Sequence, residues 1–138
     1  NIDGLFGAIK SALPVHPPYF PADQITDKSE RFVTSEIIRE KIFMNYKKEI
    51  PYSCQVEIEE FKEADDIIRI RALIYVERDS QKGIIIGKKG ASLKKVGIES
   101  REELEKFFEK KIHLETYVKI EKDWRKKDKS LRKFGYQN

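Results

Sequence analysis

A chain with one cysteine cannot tie itself with disulfides, and Cys54 lies in a segment of alternating apolar residues that predicts a buried thiol. Histidine is nearly as scarce. His16 and His113 stand far apart, with no second His or Cys at ligand spacing, which argues against a metal centre. No His, Cys or paired-acid constellation points to catalysis, so these 138 residues are not expected to form an enzyme. No apolar run approaches the ~20 residues that span a bilayer, and no signal-peptide pattern opens the sequence, so a cytoplasmic location is expected. The chain begins at Asn1 rather than Met, which hints at a piece of something longer.

What is present is charge. Charged residues make up 38% and apolar residues 39%, so the core must be compact and the surface very ionic. Disorder would also require few aromatic and β-branched residues, whereas Phe and Tyr are plentiful and isoleucine recurs in patterned runs. The net charge of +4 is modest, but its distribution is uneven. Six acids face one lysine between Gln55 and Asp66, while five lysines (Lys82, Lys88, Lys89, Lys94, Lys95) and no acid lie between Gln81 and Ile98. The tail from Lys119 to Lys133 is again mostly basic. A one-sided basic surface is the electrostatic footprint of a polyanion binder.

Periodicity sets out the elements. Leu5, Ile9 and Leu13 share one helical face, and Pro14 ends that run. The stretch "PVHPPYFPADQITD" holds four prolines and predicts an extended connector, since proline joins neither helix nor ladder hydrogen bonding. A helix is expected from near Asp27, with Glu30 completing a capping box, along a stripe of Phe32, Ser35, Ile38, Ile42 and Tyr46, with Phe43 and Ile50 nearby, to a stop at Pro51. "SCQVEIEEFK" alternates as a half-buried strand does, and "EADD" reverses the chain. In the next strand Ile68, Ile70, Ala72, Ile74 and Val76 take one face and Arg69, Arg71, Leu73 and Tyr75 the other. A second long helix runs from about Gly90 to Lys110 on Leu93, Val96, Gly97, Ser100, Leu104, Phe107 and Phe108, with Gly97 read as a point of close packing. Ile112, Leu114, Thr116, Val118 and Ile120 make a third strand. The tail "KDWRKKDKSLRKFGY" predicts a short basic helix or an ordered extension. The order α-β-β-α-α-β gives an α+β layer. An antiparallel hairpin and a parallel pair share a three-stranded mixed sheet, with the helices on one face.

One stretch, "QKGIIIGKKGASLKKVG" (residues 81 to 97), looks built to touch phosphate. A nucleotide-cradling loop reads G-x-x-x-x-G-K-[ST]. Here Gly83 and Gly87 enclose three residues, Lys88 is followed by Lys89 rather than a magnesium-ligating Ser or Thr, and the enclosed residues are bulky isoleucines. The nucleic-acid reading uses every residue. Gly87-Lys88-Lys89-Gly90 is a G-x-x-G loop between two helices, where glycines let a sugar-phosphate chain approach and lysines supply counter-charge. Ile84, Ile85, Ile86, Ala91 and Leu93 are candidates to floor a groove too narrow for a duplex and suited to unstacked bases, although some of these isoleucines must instead be core. Lys94 and Lys95 either face phosphate or solvate the helix. Trp124 and Tyr136 either stack on bases or pin the last segment to the core, and Arg125, Lys126, Lys127, Lys129, Arg132 and Lys133 either attract phosphate or form a solvated face.

With those residues quoted, the segment resembles the KH domain, and the helix-first order resembles its second topological type. The wider chain is similar to the C-terminal part of the Era family of bacterial GTPases. "PPYFPADQITDKSERFVTSEIIREKIF", "IPYSCQVEIEEF", "IIIGKKGASLKKVG" and "LETYVKIEKDWRKKDKSLRKFGY" carry the likeness, and residues 1 to 13 resemble the last helix of the GTPase domain. Leu93 and Val96 stand where that family often has isoleucine. The resemblance implies that residues 1–28 are the end of an upstream GTPase domain and its connector. Residues 29–138 would then be a type II KH domain with a basic C-terminal extension. It implies binding of single-stranded RNA, the 3′ end of the small-subunit ribosomal RNA, in assembly of the 30S subunit, with Gly87, Lys88, Lys89 and Gly90 as the clamp. GTP and magnesium would belong only to the GTPase domain, leaving this chain without a cofactor or small-molecule substrate, and the full-length parent would have room for peripheral membrane association. A rival reading makes the chain a protein-protein or self-association module through its N-terminal amphipathic helix.

Overall fold

The computed structural model describes residues 1–17, 29–122 and 124. The alternating segments form β1 (Gln55–Glu63) and β2 (Ile67–Val76), paired antiparallel, and β3 (Lys111–Ile120), parallel to β2, so that β2 is the central strand. The register sets Val56 opposite Ile74, and Ile68 and Ile74 beside Ile112 and Val118. These side chains therefore share one face and are buried on it.

The helices cover that face. The first, α1 (Ile2–Ala12), stands apart: it is capped by Asn1 and buries none of its residues. Next come α2 (Glu30–Asn45), the single turn α3 (Ile50–Ser53), α4 (Asp79–Ile86) and α5 (Ala91–Phe108). Ile38 and Ile42 of α2, Ile85 of α4, and Val96 and Leu104 of α5 close the core over Ile68, Ile70, Ala72, Ile74 and Val76. Full burial of each large aliphatic chain stabilises the fold by about 1.5–3 kcal/mol. A bulge between Ile58 and Glu60 bends β1, and Arg31 Nη1 donates to the Ile58 carbonyl oxygen at 2.8 Å, tying α2 to the strand there.

The expected elements are present, with several corrections. The α2 helix is capped by the Ser29 side chain, which accepts from the Phe32 N–H at 3.3 Å, so the residue at N3 is Phe32 and there is no box with Glu30. Its buried stripe is Thr34, Ile38 and Ile42, while Phe32 and Phe43 are about half exposed. Pro51 does not end α2. That helix stops at Asn45, Lys48 takes a left-handed φ of 58°, and Pro51 sits in the first turn of α3, where its missing N–H has no partner to lose. Leu73 and Tyr75, on the sheet face away from the helices, are buried as well, and so is Trp124, which is therefore a core residue rather than a stacking surface. The remainder of that outer face is an ion network. Arg71 Nε donates to Glu115 at 3.0 Å, its Nη1 lies 3.5 Å from Glu60, and the Arg71 hydrogen bond holds the Glu115 carboxyl below the usual carboxylate range. The expected start at Asp27, most of the proline connector, Tyr136 and the basic tail from Arg125 lie outside the described residues.

Gly97 does not serve close packing, because a Cβ built there meets nothing within 4 Å. Gly97→Ala is therefore expected to stabilise the domain by about 0.5–1 kcal/mol through the lower entropy of the unfolded chain. A higher urea midpoint would show this, whereas a lower one would restore a packing role to the glycine.

Candidate nucleic-acid interface

The loop between α4 and α5 is held from both sides. At the start of α4 the buried Gln81 side chain accepts from the backbone N–H groups of Glu77 and Arg78, each at 3.0 Å, which fixes how the chain leaves β2. Six residues after Gln81, Gly87 ends the helix, its N–H donating to the Gly83 carbonyl at 2.9 Å. Gly87 adopts φ 71°, ψ 179°, and a Cβ there would lie 2.2 Å from Ser92 Oγ, so only glycine fits without displacing the first turn of α5. Lys88 to Gly90 form one 3₁₀ turn in which Lys89 (φ 52°) and Gly90 (φ 78°) are also left-handed. Three of the four loop residues thus have positive φ. For Lys89 this costs about 1–2 kcal/mol, which the surrounding turn must hold.

The result is a display of positive charge on a turn of defined shape. Lys88, Lys89, Lys94 and Lys95 are exposed. Among the described residues Lys88, Lys89 and Lys94 make no ion pair, while Lys95 lies 3.7 Å from Glu99 one turn along α5. The 18-residue helix α5 begins at this loop with Gly90 as N-cap, no side-chain cap and no acid in its first turn. Its macrodipole adds roughly half a positive charge at the same place. Cation and backbone dipole therefore converge on one spot, an arrangement that suits phosphate oxygens.

The isoleucines divide by geometry. Successive helical residues point about 100° apart, so three in a row cannot share a face. Ile84 is 50% exposed, Ile86 is partly buried against the core, and Ile85 is fully buried. Ile85 is thus removed from the groove candidates: its side chain anchors α4 to the sheet. Leu93 is likewise partly buried on the core, Ala91 is exposed, and Gly87 and Gly90 are half-buried.

A second lysine pair, absent from the sequence reading, lies at the same end of the helices. Tyr46 caps α2, and its hydroxyl donates to the Ile85 carbonyl at 2.6 Å, two residues before Gly87. Asn45 Nδ2 donates to Glu99 at 2.5 Å, joining α2 to α5. The exposed Lys47 and Lys48 follow directly. The only hint in the sequence was "YKKE" after an apolar stripe, and nothing local connects it to residue 85. Burial, with a smaller contribution from Cys54, pushes the Tyr46 phenol up to about 12.

Comparison with known proteins places these features in a family. A model of the KH domain matches residues 49–125. The GTPase Era of Geobacter metallireducens is 50% identical over 138 residues, spanning 99% of this chain and 46% of that protein. Its counterpart in Syntrophus aciditrophicus is 56% identical over 126 residues, spanning 90% and 41%. The chain thus spans about half the length of the curated relatives it matches. Among solved structures, an Aquifex aeolicus Era variant bound to GDP·AlF4⁻ superposes with a TM-score of 0.91 at 41% identity, covering all of this chain and 47% of that one. Era in complex with MgGDPNP and nucleotides 1506–1542 of 16S ribosomal RNA does so with the same TM-score, identity and coverage.

Tyr46→Phe isolates the tether between α2 and α4. At neutral pH it is expected to cost about 1 kcal/mol, the worth of one hydrogen bond. Below pH 10 the phenol is protonated in folded and unfolded chains alike; as pH rises towards 12 the unfolded chain releases this proton first, so wild type loses stability that the variant does not. Urea titrations below pH 10 and near pH 12 should show the gap between the two narrowing. A constant gap would mean that Tyr46 titrates normally.

Proposed function

The chain belongs to the KH domain family, and on that premise we propose that it binds single-stranded RNA, with the sugar-phosphate backbone held by Gly87, Lys88, Lys89 and Gly90. The observation that carries this reading is the loop itself: a backbone bent through three positive φ angles, two lysines without ion pairs among the described residues, and the uncapped start of α5. Ile84, Ile86, Ala91 and Leu93 border the loop and supply apolar contact for bases, and Lys94 adds charge. The RNA is the 3′ region of the small-subunit ribosomal RNA and the setting is assembly of the 30S subunit, a reading supported by the solved Era complex with nucleotides 1506–1542 of 16S ribosomal RNA. GTP hydrolysis belongs to the remainder of a longer parent, since the relatives named GTPase are about twice the length matched here. The parent works in the cytoplasm. Among the described residues no helix is long and apolar enough to cross a membrane.

Binding of a labelled single strand matching a small-subunit 3′ end, against a scrambled strand and a duplex, tests this reading. Lys88→Asp combined with Lys89→Asp is expected to weaken single-strand binding on the order of 100-fold, as two charge-assisted contacts are lost. Equal binding by wild type and the double variant, with the fold intact, would reduce the loop to an ordinary turn.

The rest of the chain follows the same division. Residues 1–28 are the end of the upstream domain and its connector, and residues 29–138 are the RNA-binding domain. The observation in favour is that Ile2, Leu5, Phe6, Ile9 and Leu13 of α1 and its C-cap are all about half exposed or more. In the parent that apolar face docks on the upstream domain. Deleting residues 1–13 should leave both RNA affinity and the thermal midpoint of this chain unchanged. A lowered midpoint would show that α1 packs on the KH domain instead.

A further inference from the structure

We infer that the corner between α2 and α3 is a second RNA-contact surface, a base-stacking platform that receives the strand where it leaves the clamp loop. This rests on the proposed reading of the loop and extends it to residues that reading does not include.

Phe43 and Tyr52 are 51% and 67% exposed, yet they are ordered against each other, edge to face at 85° with ring centroids 5.3 Å apart. An edge-to-face pair covers at most one face of one ring, and the exposure of both side chains leaves aromatic surface open to solvent. Open aromatic faces are the surfaces on which single-stranded bases stack. Between the two rings in sequence lie Lys47 and Lys48, exposed and without an ion pair among the described residues, against the single acid Glu49. Lys48 is held at φ 58°, so the turn that displays the lysines has a defined shape.

The corner is bound to the clamp by direct contacts. Tyr46, between Phe43 and Lys47, donates to the Ile85 carbonyl two residues before Gly87. Asn45 bonds Glu99, which lies 3.7 Å from Lys95. Tyr46 thus joins the end of α2 to the end of α4, and Asn45 joins it to the middle of α5 one turn from Lys95, so that Lys47 and Lys48 leave α2 beside the segment that carries Lys88 and Lys89. Aromatic faces interleaved with lysines and continuous with a phosphate-binding loop fit a polyanion carrying planar bases. Phe43, Lys47 and Lys48 precede residue 49, where the family match begins, and Tyr52 lies just inside it, so the platform straddles the edge of the matched unit.

The test uses the whole chain and two single-stranded RNAs taken from the small-subunit 3′ end. One is about four nucleotides long, the reach of a G-x-x-G loop, and the other about twelve. Tyr52→Ala or Phe43→Ala is expected to weaken binding of the long RNA roughly tenfold and leave the short one unchanged. Tyr52→Trp, which keeps an aromatic face, should retain wild-type affinity. Lys47→Ser with Lys48→Ser should reduce the dependence of log affinity on log salt for the long RNA by about 1.4, the share of two phosphate contacts on a single strand. Long-RNA binding that none of these changes alters would overturn the platform while leaving the clamp intact. Equal losses for both RNAs would also overturn it, because the corner would then act through the loop. Failure of wild type to bind either RNA would remove the clamp reading and the platform together.

Discussion

Every element of the domain is positioned by β2. It is hydrogen-bonded on both sides, antiparallel to β1 and parallel to β3, and Ile68, Ile70, Ala72, Ile74 and Val76 form the floor on which the helices lie. Its outer face is closed as well, by burial of Leu73 and Tyr75 towards one end and the Arg71 ion network in the middle. A strand with this aliphatic floor cannot slip by one residue, since that would exchange the floor for Arg69 and Arg71. The parallel partner requires a long crossover, and that crossover is α4, the loop and α5. The place of the lysine-bearing turn is thus a consequence of sheet connectivity.

Within the crossover, backbone geometry and electrostatics agree. Gly87 is required by its positive φ and by Ser92 packed against the site of its missing Cβ. The same bend exposes Lys88 and Lys89 and leaves the start of α5 without a side-chain cap. A turn with an acid at the N-cap of α5 would stabilise the helix more but would cancel the positive charge displayed there. The absence of acid from residues 81 to 98 reads the same way, while acids gather on β1 and the outer face of the sheet. The domain segregates charge so that one end of its helices is positive despite a net charge of only +4.

Much of this was legible in the amino-acid order. Alternation in residues 55–63, 67–76 and 111–120 specifies strands because the side-chain period of two is a local property of extended chain. The Gly87–Gly90 turn was legible because a glycine pair around two lysines, between helical periods, states a local backbone requirement. Other features mislead a local reading for identifiable reasons. Pro51 reads as a helix stop, yet proline also suits a first turn, and the left-handed Lys48 that breaks the chain before it leaves no mark in sequence. Gly97 reads as a packing contact, but whether a neighbour approaches a glycine depends on elements remote in sequence, and here none comes within 4 Å.

The sequence by itself therefore determined the elements, their order and the chemistry of the loop, because periodicity, turn residues and charge act over a few neighbours. Tertiary structure decided what each of those residues touches. It set Ile85 into the core and left Ile84 half exposed, and it buried Trp124. It also brought Tyr46 within 2.6 Å of a carbonyl 39 residues away, and Lys47 and Lys48 with it, to the end of the helices where the loop stands. Contacts across that separation arise only when the sheet has paired and the helices have packed on it, so no local pattern encodes them.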